Sequence, residues 1–196
     1  MDRDASHLWV VTHRAGLLSF LGHDHALVPG DWSARLCLAA PVPAGAHGSL
    51  VIRTASLVID SDSGRTLAGL GAGPSPQQVH DIQGRILDHE HLAADSFPEI
   101  RIDAAALDDE HGGRLRMRAT IALHGVTRPV ELPLTLESGD PATLRLAGRV
   151  TIRQREFGIQ PESRAGVVKV ADGVDLHFEL VARPAGRPCD PAASTE

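Results

Sequence analysis

The feature that most constrains this chain is a strict two-residue alternation of apolar and polar side chains. Between Arg114 and Leu123 the apolar set Leu115, Met117, Ala119, Ile121 and Leu123 alternates with Arg114, Arg116, Arg118 and Thr120. In an extended chain successive side chains point to opposite faces, so this run predicts a strand with one face in a core and the other in water. Val130, Leu132, Leu134 and Leu136 repeat the pattern after His124-Gly125, which predicts an antiparallel hairpin with glycine supplying positive φ at the turn. Pro133 cannot donate a ladder hydrogen bond, so it weakens that strand or puts it at an edge.

The alternation returns at Trp32 to Leu38, Ile100 to Ala106, Leu144 to Ile152 and Val174 to Leu180, with weaker runs at Leu8 to Thr12, Leu17 to Leu27 and Leu50 to Ile59. Roughly eight to ten strands at this spacing are those of an all-β sandwich or barrel. One segment breaks the period. Ser75 as N-cap, Pro76 at the first helical position and Gln78 at the third precede Val79, Ile82, Ile86 and Leu87 at helical spacing, which predicts a single short helix on or across the sheet. The Gly-rich stretch 69–74 ahead of it fits neither phosphate-binding fingerprint. At 196 residues one core is the default; the barrel domain is placed at 1–183, and the Pro-rich segment 184–196 reads as a disordered tail.

Charge and composition remove several function classes. The net charge of -6 comes from 25 acidic and 19 scattered basic residues, so no phosphate-tracking surface is visible and nucleic acid is not an expected partner. No apolar run reaches the roughly 18–20 residues of a membrane-spanning helix. Cys37 and Cys189 suggest neither a disulfide framework nor a zinc module. The first residues, Met1 to His7, lack a basic n-region and an apolar h-region; the expected compartment is the cytoplasm, or the periplasm if a leader has been removed.

Eleven histidines make metal binding the main alternative. His23 and His25 on a strand would share a face and could hold zinc or a similar divalent ion through imidazole nitrogens, with His91 from Asp88-His89-Glu90-His91 as a third ligand. A structural role for the same histidines, bonded to backbone carbonyls, is the simpler reading. No G-x-S-x-G elbow or other nucleophile signature is present, and no catalytic residue or cofactor is expected. A closed sheet of about eight strands is wide enough to hold one elongated apolar ligand, and with four Phe, two Trp and no Tyr bulky plugs are scarce.

Three segments carry a family resemblance. Leu123-His124-Gly125-Val126-Thr127-Arg128-Pro129-Val130, Phe97-Pro98-Glu99-Ile100-Arg101-Ile102 and Gln154-Arg155-Glu156-Phe157-Gly158-Ile159 together resemble the YceI-like family in order and spacing. Gln154 stands where many members have Arg, and Asp88-His89-Glu90-His91-Leu92 keeps only His91 and Leu92 of the usual element. The resemblance implies a lipocalin-like extended antiparallel β-barrel. It also implies non-catalytic binding, transport or storage of a long apolar chain, a polyisoprenoid or isoprenoid quinone, in the lumen. Trp9, Phe20, Leu36, Ile102, Ile121, Leu134 and Phe178, drawn from the apolar faces, are the expected lining. A one-residue error in phase would turn any of them outward. An exposed sheet edge could pair two copies into a homodimer.

Overall fold

The computed structural model describes residues 1–16, 19, 22–39, 45–109, 113–138, 143–161, 163–164 and 168–183. Phe20 and the segment 184–196 lie outside them. Among the described residues one antiparallel sheet of eleven strands dominates. In chain order these are β1 (Asp2–Ala15), β2 (His25–Pro29), β3 (Trp32–Ala39), β4 (Gly45–Arg53), β5 (Leu57–Ile59), β6 (Glu99–Asp109), β7 (Arg114–Leu123), β8 (Val126–Ser138), β9 (Leu144–Arg153), β10 (Ser163–Arg164) and β11 (Val168–Ala182). The spatial order β3-β4-β6-β7-β8-β9-β11-β1-β2-β5 curls the sheet around a shared apolar interior into a half-barrel, with β3 and β5 at its unpaired ends among the described residues, not a closed barrel. The all-β class is as the alternation predicts and the lipocalin-like form as the resemblance implies.

The predicted hairpin forms as written. Leu123 faces Val126, and the two turn residues between them, His124 and Gly125, have φ of 52° and 73°. Positive φ at both central positions is the geometry whose twist matches the flanking strands. Pro133 sits inside the sheet rather than on an edge strand, yet it does mark a boundary. The β8–β9 ladder runs from Leu134 to Ser138, so the half of β8 up to Pro133 is paired to β7 alone.

Among the described residues two α-helices are present where one was expected. The predicted helix α2 (Pro76–Leu87) has the full Ser75–Gln78 capping box. None of its residues is fully buried. Val79, Ile82, Ile86 and Leu87 are half-buried, and Gln83 ties the helix to β5: its side chain accepts from the Ile59 N–H at 2.9 Å and donates to the Leu57 carbonyl at 2.7 Å. An amide side chain thus takes the place of a next strand along β5. The additional helix α1 (Asp62–Leu67) is capped by Ser61, which accepts from the Gly64 N–H; its six residues are too few to register as a helical period. Cys37 is disulfide-bonded, which the sequence could not show because separation along the chain says nothing about distance in the fold. Its sole potential partner in the chain, Cys189, lies outside the described residues.

Candidate functional site: an apolar cavity inside the curled sheet

The inner walls leave an apolar cavity of about 110 Å3, open at one side. Leu36 of β3, Leu50 of β4, Ile102 and Ala104 of β6, Met117, Ala119 and Ile121 of β7, Val130, Leu132 and Leu134 of β8, Leu146 and Val150 of β9, and Leu176, Phe178 and Leu180 of β11 all line it. The register explains why the space is empty. Gly48, Ala104 and Ala119 are opposite one another on three successive strands, and side chains this small leave the centre of the wall thin. Arg35 and Ser49 are the polar residues among those lining the cavity.

Five of the residues expected to face a lumen, Leu36, Ile102, Ile121, Leu134 and Phe178, line this cavity. Trp9 does not. It is opposite His177 on β11 and stacks on that imidazole with ring centroids 4.9 Å apart, whereas the neighbouring pair Leu8 and Phe178 belongs to the cavity side. The phase was one residue off because β1 is apolar on both faces: Leu8, Trp9 and Val11 are all buried.

One side of the cavity is sealed by a cluster of Ile121, Leu123, Ile152, Phe157, Ile159 and Val174, with Leu92 packed against it. Here the three family-like segments meet. The Phe97 and His124 rings make an edge contact at 5.0 Å, and His124 Nδ1 lies 3.2 Å from the Phe157 carbonyl oxygen. A side chain at Gly125 would strike the Phe97 ring. These segments therefore build the plug and the hairpin, and of the apolar lining they supply Ile102 and Val130.

Two polar clusters lie outside the cavity lining. Asp175, buried, accepts from Thr151 Oγ1, Arg149 and His13 Nε2 at 2.5, 2.6 and 2.9 Å. Burial alone would raise its carboxyl, but these hydrogen bonds and the Arg149 charge hold it below the usual carboxylate range. The adjacent His177 is pushed down by burial and by Arg149, which favours its neutral form. Asp60 accepts from Arg65 at 2.7 Å, from the Ala26 N–H at 3.1 Å and from His25 Nδ1 at 2.6 Å. Burial is again outweighed, first by the His25 hydrogen bond, and the carboxyl is held low.

Of the expected metal ligands, His25 opens β2 and is fixed by Asp60, and His23 stands in the turn before it with ring centroids 6.4 Å apart. His91 lies in the turn after α2, its Nδ1 3.2 Å from Asp88. Among the described residues no three His, Cys or acidic side chains gather as a metal cluster. Sequence reasoning did not find Asp60 as the partner of His25; the two are separated by 35 residues, and β2–β5 pairing brings them together.

Comparison with known proteins agrees with this architecture. A family model described as YceI-like domain matches residues 5–182, and the chain belongs to the YceI-like family. No curated protein matches the chain. Among solved structures, BcnA of Burkholderia cenocepacia superposes with a TM-score of 0.68 at 18% identity, covering 92% of this chain and 98% of that one. A polyisoprenoid binding domain from Saccharophagus degradans gives 0.61 at 15% identity over 92% of this chain and 95% of its own. A Campylobacter jejuni YceI protein gives 0.59 at 14% identity, over 81% and 84% respectively. At these identities the likeness is one of fold.

Proposed function

We propose that this protein binds a long apolar chain, a polyisoprenoid or isoprenoid quinone, in the cavity and carries or stores it without performing chemistry on it. The observation behind this reading is the cavity itself, walled almost wholly by aliphatic side chains. The name of the Saccharophagus domain supports it. Burial contributes about 0.8 kcal/mol per CH₂, so about a dozen enclosed carbons give roughly 10 kcal/mol, comparable with the ~4–15 kcal/mol that association costs. Such a ligand needs little polar recognition to bind. Solvent extraction of the purified protein followed by mass spectrometry tests this: a stoichiometric isoprenoid is expected, and a chain that carries none and takes up none from isoprenoid-containing vesicles refutes it.

The disulfide at Cys37 favours an oxidising compartment. Cys37 is accordingly expected to resist iodoacetamide in the native protein and to react after reduction; alkylation without reductant would return the protein to a reducing compartment.

A further inference from the structure

We propose that His23 and His25 form a binding site for a divalent transition-metal ion, separate from the apolar cavity and independent of the lipid reading. The argument starts at Asp60, whose side chain is 1% exposed. One carboxylate oxygen is taken by Arg65 and the Ala26 N–H, which fixes the group and balances its charge. The other accepts from His25 Nδ1. An ionised carboxylate can only accept, so the proton of neutral His25 sits on Nδ1 and the lone pair is left on Nε2. A carboxylate that orients an imidazole through its far nitrogen is the usual second partner of a metal-binding histidine, setting both tautomer and basicity.

The second imidazole is already adjacent. His23 meets His25 edge-on at 6.4 Å between centroids, wider than the roughly 5 Å at which two rings share a tetrahedral ion through Zn–N bonds of ~2.0–2.1 Å. His23 is exposed in the turn before β2, so a side-chain rotation closes the remaining distance. Asp60 keeps the ring of His25 in place meanwhile. Asp24, between them, is engaged by the Arg14 N–H at 2.9 Å, and the preceding residues 17–22 contain no His, Cys or acid. Two protein nitrogens leave the other coordination positions to water, so the site is an open and exchangeable one rather than a closed structural one.

Calorimetric titration of the full chain with zinc chloride at neutral pH tests the site. One zinc per chain is expected, lost in His23→Ala, and the exposed position of His23 predicts an unchanged melting temperature for that variant. Asp60→Asn is expected to weaken binding by about 10–100-fold; should it fail to fold, His23→Ala still decides the matter. An absence of binding, or binding of equal stoichiometry and affinity in His23→Ala, overturns the proposal.

Discussion

At the scale of single residues, the clearest constraint is Gly148. A Cβ there would collide with the Phe178 ring and come within 2.8 Å of the Pro133 carbonyl. Gly148→Ala is expected to destabilise the fold by about 1–3 kcal/mol, the range for overpacking, measured as a shift in urea midpoint. The buried carboxylates set the acid limit. Asp60 and Asp175 are both held below the ordinary carboxylate range, so they bind fewer protons folded than unfolded. Their stabilisation is complete above the unfolded value of ~3.9 and is lost as pH falls through their folded values. Denaturation measured across this range is expected to show a shallower acid decline in Asp175→Asn than in the wild type; an unchanged slope would mean that the carboxylate is not preferentially ionised in the fold. Residue-scale reading of the sequence succeeded where one face alone is apolar, as at Ile121 and Leu134, and failed at Trp9, where both faces of β1 are covered and phase has no signal.

At the scale of elements, local chemistry was legible and long-range pairing was not. The capping box at Ser75 and the positive-φ turn at His124-Gly125 depend on neighbours in sequence, and both were readable there. The role of Gln83 depends on β5, a partner 24–26 residues away, and nothing in the helical pattern marks it. This residue covers a strand edge that would otherwise present unpaired backbone groups. Gln83→Ala is therefore expected to cost about 1–3 kcal/mol through the stranded Ile59 N–H and Leu57 carbonyl, with faster amide exchange at Ile59 as the direct readout. An Ile59 exchange rate equal to the wild type would show that the helix does not secure this edge. Likewise the family-like segments are recognisable because turn and plug geometry restricts their residues, whereas the cavity lining accepts many apolar side chains and leaves no motif.

At the scale of the whole molecule, the curled sheet encloses space because small residues are aligned across adjacent strands, and strand register decides which small residues these are. The sequence alternation foretold an apolar interior, but whether that interior is filled depends on the sum of side-chain volumes across strands distant in the chain. Ala104 lines the cavity and its neighbour Ala105 faces out, exposed, so the two provide a matched pair. The most direct measurement is native mass spectrometry of the wild type, Ala104→Phe and Ala105→Phe after incubation with a long polyprenyl alcohol. One bound alcohol is predicted for the wild type and Ala105→Phe, with strong loss for a folded Ala104→Phe. No bound alcohol in the wild type, or equal binding by all three proteins, would contradict the cavity as the binding site.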